Sequence, residues 1–508
     1  MKLEWLNVSV HARNKNKRSK DKYITLLNKA CGCATQGLTA VMGPSGCGKT
    51  TLISTLAGRV PSSTKTSGCV LYNEKERNSS VWMNSVGFVD QDHAFFEGLT
   101  AYETVYYAAR FKLKGQNVNI ETKIAKLFEK LRIIDIMNCK MRILSGGERK
   151  RVMIAVELVS DPQIVFLDEP TSGLDNDVAF SIVELLKEVA QEGKIVIMSI
   201  HQPDDRLSLL LDKIILMSHG EIIATGTMQE CQEYLMHNGY EKRDNTTFSS
   251  FAMEVLGNPS LKYNENGKDC KLEKLASSYR NQFVYDKKYQ NTRVGSDFCM
   301  RCTPNLMDIG VLINRRMKLD VFRMKTFILY AIIIAIMIAI FSFGVLDNFV
   351  FNVSDKSADK FDDVLALIRV VNWFVLRLIC NIEEVLIIII AFTFNSVFNS
   401  EQRNIRREIS AYSYTIVSYH LSVLIFELIY HLPLITCYLC ATLYKYTPKQ
   451  GIGFVIGCQL LRYWVIVNFG FLLISIFSGY KASIFFSHCR DVILLRCTPS
   501  QRPKSYAV

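Results

Sequence analysis

The sequence predicts an α/β domain followed by an all-α domain that crosses a membrane several times. The α/β prediction rests on apolar runs of strand length that alternate with helical patterns between residues 38 and 227. The membrane prediction rests on Phe327–Leu346, an uncharged run that is ~30 Å long as a helix and so matches the hydrocarbon core of a bilayer. The chain has 508 residues, more than one hydrophobic core usually organises. The strand-length runs are Leu38–Met42, Ile164–Leu167, Ile195–Ser199 and Ile214–Met217.

The composition excludes a disordered chain and a purely soluble one. Hydrophobic residues make up 49% of the chain and charged residues 21%, and the apolar weight lies in the C-terminal third. The 15 cysteines are scattered without a disulfide framework, which indicates a reducing, cytosolic compartment. The net charge of +12 is compatible with nucleic-acid binding or with the cytoplasmic side of a membrane, and the distribution of charge must decide between them.

Composition divides the chain into five segments. Residues 1–238 form the predicted cytosolic α/β domain, and residues 239–304, which are polar and lack a strong period, are predicted to be a loosely structured linker. In residues 305–325, apolar positions recur near helical spacing beside basic ones, so we expect an amphipathic helix on the cytoplasmic membrane surface. Residues 326–480 hold the membrane domain, and residues 481–508 form a basic cytosolic tail.

The membrane domain is predicted to contain about four spans. The second span is short, and the nearby Glu383 and Glu384 either line a polar cavity or, as we favour, lie at the outer interface. The loop at residues 347–363 is rich in aspartate, whereas the segment before the first span and the loop around Arg406 are basic. The positive-inside rule therefore predicts both termini in the cytoplasm. The spans are Phe327–Leu346, a run that ends near Ser400, Leu421–Tyr444 and Tyr463–Tyr480.

The glycine-rich segment Gly43–Thr50 directly follows the strand-length run Leu38–Met42 and fits the pattern GxxxxGK[ST]. In such a loop the glycines let backbone N–H groups converge on phosphates, and the helix that follows presents its positive end. Lys49 is expected to reach the β and γ oxygens of a nucleotide, and Thr50 to offer a hydroxyl to Mg²⁺. The pattern predicts a phosphate loop, or P-loop, that binds a nucleotide together with Mg²⁺. The predicted phosphate-binding residues are Gly43, Pro44, Ser45, Gly46, Cys47, Gly48, Lys49, Thr50 and Thr51.

Two further motifs carry chemistry. Asp168 and Glu169 directly follow the run Ile164–Leu167, where Asp168 is placed to hold Mg²⁺ through water and Glu169 to polarise an attacking water. The alternative is an exposed acidic turn after a core strand. The segment Ser145-Gly146-Gly147-Glu148 precedes a helical run, which predicts a second helix N-terminus with small residues and a free hydroxyl, suited to a γ-phosphate.

The Ser145–Glu148 segment resembles the signature motif of ATP-binding cassette (ABC) proteins, and the other motifs of that family occur in order. Gln91 resembles the Q-loop residue and His201 resembles the switch histidine. The resemblance implies an ABC nucleotide-binding domain in residues 1–238, in which two such domains enclose two ATP molecules head to tail. The implied active unit is a dimer. The segment that resembles the D-loop consists of Ser172, Gly173, Leu174 and Asp175.

The resemblance also assigns a role to each motif. The implied catalytic residues are Glu169, which acts on the water, His201, which contacts the γ-phosphate, and Gln91, which couples the metal to the membrane domain. Mg²⁺ is implied to be held by Thr50, Gln91 and Asp168. The residues implied to bind the ATP of the opposite subunit are Ser145, Gly146, Gly147 and Glu148.

An N-terminal cassette followed by membrane spans, with Gly147-Glu148-Arg149-Lys150-Arg151 and Ile200-His201-Gln202-Pro203, resembles the G subfamily of White/Scarlet-type half-transporters. The resemblance implies ATP-driven export of lipid-like or other hydrophobic small molecules through a lipid bilayer. It implies a homodimer or a heterodimer with another half-transporter, a multi-pass membrane protein with cytoplasmic cassette and termini, and no nucleic-acid partner. Residues that resemble the coupling segment of this subfamily are Glu401, Arg407-Glu408, Tyr414, Tyr419 and Leu432-Pro433.

The sequence departs from the family pattern in its last part. Family members have six spans per half, whereas no further apolar span follows Tyr480, so the fifth and sixth spans are expected to be absent. This leaves an alternative function, a transport-incompetent or regulatory membrane ATPase from a truncated gene. A soluble nucleic-acid cassette ATPase is a third hypothesis, which the uncharged spans disfavour. Tyr23 lies near the place where an aromatic ring stacks on the nucleobase in many cassettes.

Overall fold

The computed structural model describes the N-terminal domain and two later segments. The described residues are 1–14, 23–60, 64–77, 82, 85–91, 95–244, 246–257, 271–281, 305–319 and, except for 402, 410, 412, 427 and 428, residues 401–429. One compact unit contains Met1–Leu319 and Asn404–Val423. Apart from the start of the third one, the predicted membrane spans lie outside the described residues, as do the aspartate-rich loop and residues 481–508. Within the described ranges, no helix is long and apolar enough to cross a membrane.

The described strands of this unit form two sheets. In chain order the strands are β1 (Lys2–Arg13), β2 (Tyr23–Thr35), β3 (Gly37–Met42), β4 (Thr64–Tyr72), β5 (Lys75–Glu76), β6 (Val86–Val89), β7 (Ile164–Leu167), β8 (Ile195–Ile200), β9 (Lys213–Ser218) and β10 (Glu221–Gly226). The central sheet has the order β10-β9-β3-β8-β7-β6, and the second sheet has the order β2-β1-β4-β5. Neighbours in the central sheet are parallel except for the antiparallel pair β9 and β10.

Strands β3, β7, β8 and β9 coincide with the apolar runs that predicted them. All residues of β7 and β8 are buried, because both faces of a parallel sheet are covered and its strands have no polar side. The α/β prediction is confirmed. The sequence did not predict the antiparallel second sheet, whose long strands β1 and β2 are interrupted by shifts in register. Such bulges break the alternation of apolar and polar residues that identifies a strand.

Helices cover the central sheet. In chain order they are α1 (Lys49–Ala57), α2 (Ala101–Lys112), α3 (Ile120–Lys130), α4 (Gly146–Leu158), α5 (Asn176–Gln191), α6 (Asp205–Ser208), α7 (Met228–His237), α8 (Phe248–Gly257), α9 (Lys271–Arg280) and α10 (Leu306–Leu319). Capping boxes begin α2, α4 and α7. In each one a Ser or Thr hydroxyl accepts a hydrogen bond from a glutamate N–H, and the glutamate carboxylate accepts one from the N–H of the capping residue, which fixes where the helix starts.

Helices α8 and α9 lie within residues 239–304, where the sequence predicted a loosely structured linker. Phe251 and Leu256 of α8 are buried in the hydrophobic cluster on one side of the central sheet, and Tyr279 of α9 is buried in the cluster on the other side. The linker prediction was wrong for these residues because each helix has only ten residues and is flanked by polar ones. A periodicity argument needs a longer pattern than these helices offer.

Helix α10 is present where an amphipathic helix was predicted, and it packs on the α/β domain. Arg315 of this helix is buried, forms an ion pair with Glu408 at 2.8 Å and lies 4.4 Å from the ring centroid of Phe96. The hydroxyl of Tyr414 donates to the second oxygen of Glu408 at 2.7 Å. Burial alone would lower the pKa of Arg315, but Glu408 holds that pKa above its ordinary value. The arginine therefore anchors α10 and residues 404–423 to the domain.

A second buried ion pair lies between α2 and α4. The ammonium of Lys112 is 2.7 Å from the carboxylate of Glu157. Lys112 also donates to the carbonyl of Val156 at 2.9 Å, and Glu157 accepts the backbone N–H of Phe88 at 3.2 Å. Burial alone would raise the pKa of Glu157, but the charge of Lys112 holds that pKa below its ordinary value. The pair joins α2, α4 and β6.

We expect Glu157→Ala to lower the free energy of unfolding at pH 7 by about 3 kcal/mol, because it leaves the buried ammonium of Lys112 without its carboxylate. The double variant Lys112→Met/Glu157→Leu should recover more than half of this loss, since it removes both charges and keeps the volume. Denaturant unfolding of the three chains measures both effects. A double variant that is as unstable as Glu157→Ala would contradict the assignment.

The same pair predicts a pH dependence. The folded-state pKa of Glu157 lies below the unfolded value of about 4.3, so its contribution to stability is present above that pH and is lost as the pH falls through the folded pKa. The stability difference between the native chain and Glu157→Ala should therefore shrink on acidification. Unfolding curves at pH 7 and below pH 4 test this expectation, and a difference that grows on acidification would contradict it.

Candidate active site

The loops that carry the predicted motifs meet at one edge of the central sheet. The glycine-rich loop follows β3, Gln91 follows β6, Asp168 follows β7 and the exposed His201 follows β8. These strands are parallel neighbours in the order β3-β8-β7-β6. Their carboxyl ends therefore lie together, which is where ligands bind in open α/β sheets.

The glycine-rich loop leads into α1 through a left-handed residue. Gly48 is the N-cap of α1 with φ 107°, and no side chain caps the first turn. This differs from the capped starts of α2, α4 and α7. The backbone N–H groups at the start of α1 are thus left for an anion. Gly43 is needed for a close approach, since a Cβ atom there would lie 2.2 Å from the carbonyl oxygen of Met217.

Lys49 is folded against the loop. Its side chain is buried, and its ammonium donates to the carbonyl oxygens of Gly43 at 2.8 Å and Pro44 at 3.2 Å. These neutral acceptors hold the cation beside the uncapped helix start. A phosphate is a stronger, charged acceptor for the same ammonium, so the loop presents a positive charge that can transfer its hydrogen bonds to a nucleotide.

Asp168 connects three elements. Its carboxylate oxygen Oδ1 accepts from the hydroxyl of Thr50 at 3.1 Å and from the hydroxyl of Ser199 at 2.6 Å. Asp168 is 4% exposed, so the alternative of an exposed acidic turn does not hold for this residue. The contact with Thr50 brings the end of β7 to the start of α1, so the two predicted metal ligands Asp168 and Thr50 lie side by side.

Glu169 is held on three sides. Its carboxylate accepts from the side-chain amide of Gln91 at 2.7 Å, its backbone N–H donates to Ser199 at 2.8 Å, and its carbonyl accepts from Lys150 at 3.2 Å. The structure thus brings together Gln91 and Glu169, which are far apart in the sequence. Sequence reasoning gave no role to Ser199 or Lys150, although a serine near the end of the apolar strand β8 was a visible signal.

Thr50, Asp168 and Gln91 fit a Mg²⁺ site. Each offers an oxygen ligand, which a hard cation prefers, and the amide nitrogen of Gln91 donates to Glu169 so that the amide oxygen is left for another contact. One buried carboxylate and one hydroxyl are typical for Mg²⁺, because this ion keeps waters and takes further ligands from phosphates. The residues present are therefore compatible with the predicted metal.

The signature segment forms the N-terminus of α4, as predicted, but its hydroxyl is engaged. The Ser145 hydroxyl donates to the carboxylate of Glu148 at 2.8 Å and accepts from the Glu148 N–H at 3.3 Å. The expectation of a free hydroxyl was wrong for this structure because serine and glutamate in this spacing form a capping box. The hydroxyl becomes available to a phosphate only if Glu148 releases it.

The D-loop segment packs against the signature glycines. A Cβ atom at Gly146 would lie 3.1 Å from Leu174, and one at Gly147 would lie 2.5 Å from Val178 in α5. The second distance is shorter than real Cβ contacts allow, so the absence of a side chain at Gly147 lets α4 and α5 approach. Asp175 is the N-cap residue of α5, and its side chain makes no capping hydrogen bond.

Partly buried charges lie between the Q-loop and residues 404–423. Burial raises the pKa of Asp90, the residue before Gln91, while Arg59 and Arg407 oppose that rise. Arg59 lies 4.8 Å from the ring centroid of Phe88, and its Nε is buried without a hydrogen-bond partner among the described residues. The charge of Arg407 therefore acts on the residue next to Gln91.

We expect Gly147→Ala to lower the free energy of unfolding by about 1–3 kcal/mol, because the new methyl group overlaps Val178. Val178→Ala in the same chain should restore part of that loss by removing the overlapping atoms. Gly310→Ala is the matched control, since nothing lies within 4 Å of a Cβ atom there. A double variant that is less stable than Gly147→Ala would contradict the close approach of α4 and α5.

Comparison with known proteins identifies this part of the chain. Residues 29–172 match the ABC transporter family. The chain is 39% identical over 223 residues to ABC transporter G family member STR2 of Medicago truncatula, a match that covers 42% of this chain and 30% of that protein. It is 33% identical over 315 residues to ABC transporter G family member 1 of Arabidopsis thaliana, covering 60% and 41%.

A third relative belongs to an insect. The chain is 36% identical over 243 residues to Protein white of Drosophila melanogaster, covering 46% of this chain and 35% of that protein. The chain thus spans less than half the length of these curated relatives. Residues 29–172, which contain the P-loop, Gln91, the signature segment and the Asp168-Glu169 pair, match an ABC transporter domain, and the similarity to STR2 and to family member 1 is to transporters of the G family.

Proposed function

We propose that this chain is a half-transporter that couples ATP binding and hydrolysis by a pair of cassettes to the export of a hydrophobic, lipid-like small molecule across a bilayer. The observation that carries the proposal is the convergence of Lys49, Asp168, Glu169 and Gln91 at one edge of the central sheet. The similarity to G-family transporters and the uncharged runs after residue 326 support the membrane part.

In the proposed reaction, the ammonium of Lys49 leaves the loop carbonyls and binds the β and γ phosphate oxygens. Thr50, Asp168 and Gln91 would hold Mg²⁺, which neutralises the charge that develops on the phosphates. Glu169 accepts a proton from the attacking water, whose oxygen forms a bond to the γ phosphorus as the bond to the bridging oxygen breaks. His201, at the same edge, contacts the γ-phosphate.

The hydrogen bond between Gln91 and Glu169 suggests how hydrolysis is held back before nucleotide binds. The amide of Gln91 occupies one lone pair of the Glu169 oxygen Oε2 and so competes there with a water that would transfer its proton. Movement of the Gln91 amide nitrogen away from Glu169 would free that oxygen, and the amide oxygen of Gln91 is one of the ligands that would hold Mg²⁺. The same movement changes the position of Gln91, whose neighbour Asp90 is influenced by Arg407 of the segment 404–423. This links the proposed reaction to the proposed coupling segment.

The proposed dimer follows from the two phosphate-binding helix starts in one domain. The uncapped start of α1 serves one nucleotide, and the start of α4, with Ser145 and Gly147, serves the nucleotide of the opposite subunit. Closure then requires Ser145 to exchange the carboxylate of Glu148 for a phosphate. The partner is a second copy of this chain or another half-transporter.

We expect Glu169→Gln to reduce ATP hydrolysis by the intact chain in lipid nanodiscs about 100-fold or more, because it removes the proton acceptor. Binding of a fluorescent ATP analogue should remain within about twofold of the native value, since the amide keeps the shape of the side chain. Glu188→Gln, on the exposed face of α5, is the matched control and should hydrolyse ATP normally. Unchanged hydrolysis in Glu169→Gln would overturn the assignment of the base.

A mixed dimer tests the head-to-tail arrangement. Lys49→Ala disables the P-loop and Ser145→Arg disables the signature, so neither variant should hydrolyse ATP alone. A dimer with one chain of each kind keeps one site in which an intact P-loop faces an intact signature, and co-expression should restore up to about a quarter of the native rate with random pairing. If the mixture stays as inactive as either variant while the two chains co-purify, the proposed arrangement is wrong.

A further inference from the structure

The backbone of Glu169 has an unusual conformation for a residue with a side chain. Its φ is +46°, in the left-handed region. Residues other than glycine occupy this region at a cost, and they keep it only where surrounding contacts hold it. The neighbouring Asp168 and Leu167 do not have positive φ. Something in the surrounding structure must therefore hold the turn at Glu169.

Two buried side chains hold the peptide groups on either side of Glu169. Ser199, which is 0% exposed, accepts the Glu169 N–H at 2.8 Å and donates its own hydroxyl hydrogen to Asp168 at 2.6 Å. Lys150, which is 3% exposed, donates to the Glu169 carbonyl at 3.2 Å and to the Gln91 carbonyl at 3.5 Å. Because the interior screens these contacts little, each one is strong relative to the same contact in water.

We propose that Ser199 and Lys150 are positioning residues that lock Glu169 in its left-handed conformation and so aim its carboxylate at the attacking water. The inference rests on the proposed ATP hydrolysis. Neither residue touches the reacting atoms. The hydroxyl of Ser199 bonds both Glu169 and Asp168. It therefore fixes the position of Glu169, the proton acceptor, relative to Asp168, the predicted metal ligand. Lys150 fixes the same turn from the opposite side.

Lys150 also connects the helix of the signature segment to Glu169. It lies on α4, two residues after Glu148 of the signature segment. That segment is proposed to bind the nucleotide of the opposite subunit, whereas Glu169 acts on the nucleotide of its own subunit. A shift of α4 on engagement of the opposite nucleotide therefore moves the ammonium that holds the carbonyls of Glu169 and Gln91. Through this contact, closure of one site adjusts the proton acceptor of the other.

Steady-state hydrolysis by the intact chain in nanodiscs gives the first test. Ser199→Ala and Lys150→Met should each lower kcat by about 10-fold to 100-fold, because a misplaced base loses its alignment with the water. The KM for ATP should change by less than about twofold, since neither side chain binds the nucleotide. Ser249→Ala is the matched control: Ser249 is 2% exposed, lies on α8 and shares a hydrogen bond with the hydroxyl of Ser208.

The Glu169→Gln background separates positioning from a general structural role. A residue that acts only through Glu169 has nothing left to position once the base is gone. Adding Ser199→Ala to Glu169→Gln should therefore lower the residual single-turnover rate much less than Ser199→Ala lowers the native rate, and the loss that remains reports the contact with Asp168. An equal loss in both backgrounds, or a native kcat in Ser199→Ala, overturns the role of Ser199. The same comparison with Lys150→Met tests the lysine.

Thermal unfolding of four variants tests, without ATP, whether Ser199 holds Glu169 at positive φ. Glycine adopts positive φ freely and alanine does not, so Glu169→Gly should have a Tm about 2–4 °C above that of Glu169→Ala in the native background. In the Ser199→Ala background the peptide can relax, and this difference should disappear. A difference that persists means that Ser199 does not hold the turn. Absent ATP hydrolysis by the native chain would defeat the proposed function, but thermal unfolding would still report whether Ser199 holds the turn.

Discussion

The parallel pairing of β3, β8, β7 and β6 is the constraint on which the site depends. Adjacent strands end at the same edge of the sheet, and every predicted catalytic or metal-binding group of the cassette follows one of these four ends. The burial of both sheet faces gives these strands their apolar sequences, and the polar chemistry begins where the apolar runs stop. The Asp168 carboxylate, which accepts from Thr50 and Ser199, is the point where the end of β7, the start of α1 and β8 are joined.

Near this edge, two ion pairs hold neighbouring elements of the domain together. The Lys112–Glu157 pair joins two helices to β6, the strand that leads to Asp90 and Gln91. The Arg315–Glu408 pair fixes α10 to the segment 404–423. Removing one member of such a pair leaves a charge in a medium that solvates it poorly, so these contacts resist separation. Because Arg315 lies 5.6 Å from the ring centroid of Phe111, the neighbour of Lys112 on α2, a displacement of the segment 404–423 is expected to move α2, β6 and the Q-loop.

The sequence was sufficient for β3, β7, β8 and β9 and for the motifs, because both are local: an apolar run identifies a buried strand, and glycine spacing identifies a phosphate loop. It could not show contacts between distant residues. The hydrogen bonds of Ser199 and Lys150 to Glu169 form only in the folded sheet. The hydroxyl of Ser145, which was expected to be free, donates to Glu148. Helices α8 and α9 were missed because each has only ten residues and their burial depends on the sheet.

The central claim is that a working nucleotide site needs two cassettes, one supplying the P-loop with Glu169 and the other supplying the signature segment. The most direct measurement compares ATP turnover per chain in nanodiscs that hold one copy of the intact chain with turnover in nanodiscs that hold two. The account predicts hydrolysis in discs with two copies and almost none in discs with one, although both bind ATP through Lys49. Equal turnover per chain in both preparations would contradict it.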